Sequence, residues 1–496
     1  MEQKCIEGQK VIGFFNSLPL SLSALETVIA SATAIKKDLL NQIVPIKFEL
    51  GTNAKSKSDV THADDSLPHE LTLSIHSTSE IDKVRAVTRK ALGVFGDTDQ
   101  PLLLMDLDNV LIQFNRWKSC LPNIQPCYAV KCNPDPVLVA YLQSLGCDFD
   151  CATASEMDLV VKQLAHPGNR VVFSNPCKLE SHIRYAKQVG VDTTIIDNMD
   201  EILKIKSNNP NAKVLIRLAC SDSSARSPMS MKFGATREQV RPLLMLAAQV
   251  GLECVGIHFH VGSGCSDPNS YSKALVDARR AFDIGIEYGH NMHIVDIGGG
   301  FPNLDSETMV CQAANGVHFE EMALVINSLL DQLFPNDPLA DGTRPYKFLA
   351  EPGRFFAGGC VSLVNKVHSK SVVGTKTDSN GNCRKLIRYY MTEGLYGTLS
   401  CVLFDQQDKL KPYLLNDGNN DETMSQASTM AEGGACPIAT MFGPTCDGFD
   451  KIGDTECLPE LNVGDRIIYL NFGAYTMSIT TRFNGFESGK VFYYKS

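Results

Sequence analysis

The chain has 496 residues, 44% hydrophobic and 21% charged, with a formal net charge of -10 and an isoelectric point near 5.6. That length holds a large core and more than one domain, and an acidic chain without a long basic run excludes nucleic acid or an anionic membrane as its main partner. No apolar stretch reaches the ~20 residues that span a bilayer, Met1–Cys5 opens no compact apolar secretory segment, and 17 scattered cysteines without CxxC pairing read as reduced thiols of a cytoplasmic protein.

Residues 1–100 carry few clear signals: short strands at 12–20 and 46–50, a polar loop at 55–68, and a helix at 80–92 from the spacing of Ile81, Val84, Val87 and Leu92. From Leu102 the pattern becomes regular. Apolar strand segments at 102–107, 127–132, 149–152, 171–174, 193–196, 214–218, 255–261, 294–297 and 348–350 alternate with helical segments at 136–145, 155–164, 179–188, 199–207, 237–250, 269–288 and 319–330. Alternation of this kind predicts parallel βαβ units. Counted from Cys127, eight strands fall within roughly 230 residues, near the ~250 of a (β/α)8 barrel. Polar residues recur at the ends of nearly every strand, which a barrel explains better than an open sheet with a single switch point. The barrel is expected over 101–357. After Phe356 the texture turns strand-rich, predicting a mostly antiparallel β-domain over 358–496 that the strands of 1–100 join, with a disordered insertion at 416–434 rich in Asn, Asp, Ser, Thr and Gly.

The chemistry lies at the strand ends. The first barrel strand runs through Cys127-Tyr128-Ala129-Val130-Lys131 and breaks at Asn133-Pro134, so Lys131 is placed at a strand mouth. Burial lowers a lysine's pKa, and a neutral amine forms a Schiff base with an aldehyde. The second strand carries Asp150 and the fifth Arg217, buried charges that demand a partner or a ligand. The sixth ends His258-Phe259-His260-Val261-Gly262-Ser263-Gly264. The two histidines share a face like a metal pair, yet no third ligand stands at metal spacing, so no metal is expected. A flat imidazole beside a small-residue turn suits stacking on an aromatic cofactor better. Gly298-Gly299-Gly300 after the seventh strand forms either a phosphate nest or a tight turn. The eighth ends in Glu351-Pro352-Gly353-Arg354, a carboxylate for a cationic ring nitrogen and a guanidinium for a phosphate. A Schiff-base lysine, a phosphate nest, a stacking group and a ring-nitrogen carboxylate together are what pyridoxal 5′-phosphate (PLP) requires.

The stretches YAVKCN (128–133), FDCA (149–152), NPCK (175–178), FHVGSG (259–264), DIGGGFP (296–302), AEPGRFF (350–356), GPTCDG (443–448), GAYT (473–476) and FNGF (483–486) occur in an order that resembles the ornithine/diaminopimelate/arginine decarboxylase family, most nearly its eukaryotic ornithine-decarboxylating branch. The resemblance covers about residues 100–490. It implies a PLP-binding (β/α)8 barrel plus a β-domain, a homodimer with shared sites, and decarboxylation of a basic L-amino acid, above all ornithine to putrescine in polyamine biosynthesis. It further implies that Lys131 binds PLP, His260 stacks on its ring and Glu351 holds its ring nitrogen. Ser263, Gly298, Gly299, Gly300, Arg354 and Tyr475 would hold the phosphate, with Asp150 and Arg217 completing the pocket. Cys446 and Asp447 would reach the partner's site, for protonation and for the substrate's distal amine, with Tyr396 and Phe486 beside the substrate. Where family ornithine decarboxylases carry Asn-Asp-Gly-x-Tyr-Gly this chain has Thr392-Glu393-Gly394-Leu395-Tyr396-Gly397, so the distal-amine clamp expected there is Glu393, which keeps lysine and arginine open as substrates. Cys127 stands where the family usually has Phe, and the long degradation tail of vertebrate members is not expected. Residues 173–191 lie where relatives bind antizyme, and a catalytically silent antizyme-inhibitor-like protein is the rival reading.

Overall fold

Eight short parallel strands close into a barrel: β1 (Ile124–Ala129), β2 (Asp148–Cys151), β3 (Val171–Phe173), β4 (Thr193–Ile196), β5 (Lys213–Leu218), β6 (Glu253–Phe259), β7 (Ile294–Asp296) and β8 (Lys347–Ala350). A computed structural model describes residues 34–50, 71–75, 79–303, 318–339, 342–377, 383–405, 410–415, 436–455 and 458–495. The expected strands at 12–20, the loop at 55–68 and the insertion at 416–434 lie outside these residues.

The strands read as continuous apolar runs because both faces are buried, one against the outer helices and one inside the barrel. Cys127, Val172, Ile195, Leu215, Val255, Ile294 and Leu349 form the inner plug, one residue from each of seven strands. Side chains alternate along a strand, so two residues further on the same inward face presents the next layer. That layer is charged: Arg217 follows Leu215, Asp296 follows Ile294 and Glu351 follows Leu349. The plug closes the barrel below, and the polar layer becomes the floor of a site at its C-terminal mouth.

The outer helices start and stop where their sequence signals say. Asp135 accepts from the amides of Val137 and Leu138 to cap Pro136–Leu145, which ends at Gly146 in the left-handed region. Arg237–Val250 opens with a Thr236/Gln239 capping box and closes on Gly251. The helix expected at 155–164 instead splits into Ala154–Met157 and a π-helical turn, Asp158–Gln163.

The second sheet differs from expectation in one strand, Leu102–Asp106. Its strands run in the order Lys451–Thr455, Ile438–Phe442, Cys383–Met391, Val361–Thr377, Leu102–Asp106, Lys490–Lys495, Val44–Leu50 and Leu71–Ile75. Arg466–Tyr469 also pairs with Val361–Thr377, and Tyr413–Leu414 pairs with Arg466–Tyr469. Five of its pairings are antiparallel, as expected of this domain, and four are parallel, including both made by Lys490–Lys495. Leu102–Asp106 also belongs here and not to the barrel, because it bonds to Val361–Thr377 on one edge and Lys490–Lys495 on the other. The barrel therefore begins after residue 106, not at 101.

Candidate active site

A cavity of about 310 Å³ opens at the barrel mouth, lined by Lys131, His260, Ser263, Gly299, Gly300, Glu351, Arg354 and Tyr475 among others. Strand β1 stops at Ala129, and Lys131 sits one step later on a single 3-10 turn, Val130–Cys132. The turn is pinned from behind, because the Asn133 side chain accepts from the Asp135 amide and donates to the Gly473 carbonyl. Lys131 thus leaves the strand direction and points across the mouth rather than ending the strand. Its ammonium donates to Asp150, whose other oxygen accepts from Ser174. Burial works against the lysine's charge, but Asp150, Glu351 and Tyr475 outweigh it and hold the pKa well above the ordinary lysine range. This reverses the expected direction: before a cofactor enters, Lys131 is an ammonium.

The glycine run makes a concave wall. Gly298 takes φ +62° and Gly300 φ +116°, and a Cβ on Gly299 would lie 2.9 Å from His260 Nε2, so only glycine lets the strand end approach the imidazole. Arg354, 7% exposed, forks onto Asp405 with bonds of 2.8 and 2.6 Å and donates to Ser263 Oγ at 3.3 Å. Its carbon centre lies 5.1 Å over the Tyr475 ring, and its Nε is buried without a partner. Tyr475 takes φ +52°, a strained conformation for an aromatic residue, and its amide donates to the Cys132 carbonyl at 3.0 Å. That bond ties the β-domain to the turn carrying Lys131.

Asp405 is the residue that sequence reasoning missed. It follows the short helix Cys401–Phe404, outside every motif, and only 4% of it is exposed. The available signal was indirect: a buried arginine needs a counter-charge. Arg226 lies 3.5 Å from the same carboxylate, so two guanidinium groups converge on it.

The remaining polar layer is dense. His260 Nδ1 accepts from the Gly262 amide at 2.9 Å, which places the ring proton on Nε2, and burial keeps the imidazole neutral. His258, which alternation had paired with His260, turns instead to Glu351, Nε2 to Oε2 3.2 Å. Asp296 Oδ1 accepts from the Gly298 amide at 2.9 Å. Arg217 lies 5.2 Å over the Phe233 ring, and burial lowers its pKa while Glu351 pulls it back up. Asp150 is wholly buried, and its burial and the nearby Glu351 raise its pKa.

Four expected residues stand apart from this cavity within one chain. The Tyr396 hydroxyl donates to Asp447, the Tyr396 ring stacks on Phe483 at 4.5 Å, and the Cys446 amide donates to Asn484 at 2.9 Å. Cys446 and Phe486 are exposed, as is Phe449 at 85%. Glu393, expected beside the substrate, lies with Tyr396 and Phe486 in this separate region. With Thr445, Asp450 and Phe483 it lines a second cavity, where its carboxylate accepts from the Gly394 amide at 3.0 Å and its backbone is clamped by the Asn365 side-chain amide.

Burial pushes Glu393 up to about 7. A carboxyl whose pKa is higher folded than unfolded binds more protons in the native state between the two values, so stability falls as pH rises from about 4.5 to about 7. Glu393→Gln keeps the acceptor for Gly394 and should remove this dependence, adding up to about 3 kcal/mol at pH 8. Denaturant melts of both proteins at pH 5 and pH 8 check it, and equal gains at both pH values would refute it.

The cavity fits PLP on its own chemistry. It offers a lysine amine, a bare carboxylate oxygen (Glu351 Oε1), a buried arginine with an unpaired Nε, and a glycine wall with no room for side chains. A family model described as "Pyridoxal-dependent decarboxylase, pyridoxal binding domain" matches residues 107–358. The Caenorhabditis elegans ornithine decarboxylase is 38% identical over 404 residues, 81% of this chain and 88% of that protein. Xenopus laevis antizyme inhibitor 2 is 37% identical over 390 residues, 78% and 79% of the two chains. The crystal structure of the Paramecium bursaria Chlorella virus arginine decarboxylase superposes with a TM-score of 0.70 at 32% identity, over 83% of this chain and all of that one. The chain belongs to the pyridoxal-dependent ornithine/arginine decarboxylase family. It is a PLP-dependent amino-acid decarboxylase.

Proposed function

We propose that the protein decarboxylates L-ornithine to putrescine as a homodimer. The observation that carries this is the convergence of Lys131, His260, Ser263, Gly299, Gly300, Glu351, Arg354 and Tyr475 on one cavity. PLP supplies the electron sink for the pair left on the substrate's α-carbon when CO₂ departs. Lys131 supplies the amine that anchors the cofactor. Glu351 holds a proton on its ring nitrogen, and His260 faces its ring. Ser263, the glycine wall, Arg354 and Tyr475 bind the phosphate and keep water from it, while Asp150 and Arg217 set the charge of the floor. Cys446 of a second copy holds the proton returned to the α-carbon. Asp447, oriented by Tyr396, takes the substrate's distal ammonium beside Phe486. The exposed cluster around Cys446, with its uncovered aromatic rings, supports a second copy as its target. Glu393 spends its carboxylate on the Gly394 amide and offers no separate ground for a longer substrate.

No described helix is long and apolar enough to cross a membrane. A cytoplasmic location is part of the proposal, and a part in polyamine synthesis is supported by the ornithine decarboxylases among its relatives. Antizyme is the proposed protein partner, over residues 173–191, where Leu179 is 64% exposed.

Release of CO₂ from ornithine, lysine and arginine by the PLP-loaded protein tests the substrate. Ornithine is expected to lead in kcat/KM by roughly tenfold or more, a preference of the size that one well-placed charge contact provides. A lead by arginine or lysine would overturn the ornithine assignment. Absence of bound PLP and of turnover would favour a silent antizyme-inhibitor-like role. Mixing Lys131→Ala with Cys446→Ala protein should raise activity above the average of the two alone, with intact sites making up roughly a quarter of the total, because random pairing gives half heterodimers with one intact site of two. No recovery after exchange would place both residues in one chain's site.

A further inference from the structure

Behind the carboxylate that faces the cofactor's ring nitrogen stands a second buried group with no role assigned so far. His258 lies on β6 opposite Asp296 of β7 and Arg217 of β5 in the barrel register. No part of it is exposed, and it lines neither cavity. Its Nε2 is 3.2 Å from Glu351 Oε2, whereas its Nδ1 has no partner.

We infer that His258 is a positioning residue that donates its single N–H to Glu351 Oε2, fixing the carboxylate so that Oε1 is presented bare to the cofactor's ring nitrogen. The inference deepens the ring-nitrogen reading of Glu351 and rests on it. The tautomer follows from what each alternative leaves behind. With the proton on Nε2, the imidazole leaves only an unpaired lone pair on Nδ1. With the proton on Nδ1, it would bury an unpaired donor and set a lone pair against a carboxylate lone pair, both costly. Burial and the neighbouring Arg217 keep His258 neutral, so it has one proton to give.

Asp296 completes the arrangement. Its Oδ2 is buried without a partner, and it lies with His258 and Glu351 in a group whose facing atoms are within 4.8 Å of one another. Two carboxyls so close do not both ionise. Burial raises both carboxyls; Glu351 drives Asp296 further up, whereas Lys131 and Arg217 offset part of the rise at Glu351, which favours the proton on Asp296 and the charge on Glu351. The charge therefore sits on the carboxylate nearest the ring, held by one imidazole N–H and facing one neutral acid.

The test compares substrate-free, PLP-loaded proteins: wild type, His258→Leu, His258→Gln and Glu351→Gln. It reads the pH at which the cofactor's absorbance changes and the retention of PLP on dialysis. Leucine removes the donor, and glutamine restores an N–H at similar reach. His258→Leu should shift the absorbance titration and weaken retention by roughly tenfold, the effect of losing one hydrogen bond to a charged group. His258→Gln should recover most of both. If Glu351→Gln moves the titration but His258→Leu does not, the inference about His258 fails while the reading of Glu351 stands. If Glu351→Gln leaves it unmoved, the ring-nitrogen reading itself fails. Should His258→Leu not fold, His258→Gln with a titration unlike that of wild type would equally overturn the inference. So would stoichiometric zinc in the purified wild type, because a cation on the three side chains would consume the imidazole lone pair and the bare oxygens.

Discussion

Lys131→Ala is expected to lose the absorbance band of the lysine-anchored cofactor and about 10⁴-fold or more in kcat, a scale set by removing a covalent anchor from a catalytic site. Persistence of the band would remove Lys131 from its role. The charge state of the free site gives a sharper result. Lys131 is held as an ammonium by Asp150, so the amine must give up a proton before it can attack the cofactor's aldehyde. PLP uptake by the stripped protein should therefore quicken as pH rises toward the lysine's range. Asp150→Asn removes the largest stabiliser of the ammonium, lowers the lysine's pKa and should bring fast uptake to lower pH. Stopped-flow absorbance against pH reads both curves, and coincident curves would mean that Asp150 does not govern the amine.

Arg354→Met is expected to strip the cofactor and to destabilise the empty protein by about 3–5 kcal/mol. Both effects come from one bidentate pair. Asp405 is buried and held by Arg354 through two bonds of 2.8 and 2.6 Å, so deleting the guanidinium strands a carboxylate. Arg226, 3.5 Å away on the same oxygen, holds the loss toward the lower end of that range. The double variant Arg354→Met/Asp405→Leu should regain most of the stability without regaining PLP, because it removes the stranded charge but not the missing phosphate partner. Urea melts of the empty proteins and PLP titrations separate the two effects. A double variant no more stable than Arg354→Met would show that the pair is not the source of the cost.

The barrel was legible because its strands are buried on both faces and stand out as unbroken apolar runs. Helices such as Arg237–Val250 announce themselves by a capping box and a terminal glycine. Most of the cavity's residues were legible because they stand just beyond a barrel strand, whereas Tyr475 comes from a loop of the β-domain and was marked only by the GAYT motif. Three features were not. Asp405 lies in no motif, and its position depends on a short helix packing against the barrel mouth. The charge on Lys131 depends on Asp150, whose approach the sequence does not encode at short range. The membership of Leu102–Asp106 was hidden because a strand buried in a mixed sheet and one buried in a barrel share the same apolar pattern.

The position of Lys490–Lys495 between Leu102–Asp106 and Val44–Leu50 bears on the order in which the chain can assemble. Leu102–Asp106 gains its antiparallel neighbour once Val361–Thr377 is made, so the barrel's entry and exit are joined side by side while the chain is still growing. Val44–Leu50 and Leu71–Ile75 pair with each other in parallel, and their one connection to the rest of the sheet among the described residues is a strand translated hundreds of residues later. On the ribosome this two-stranded parallel piece must wait with an open edge, exposed to mispairing or to chaperones, until residue 495 has emerged. The first strands of the sheet are thus among the last to be locked in place.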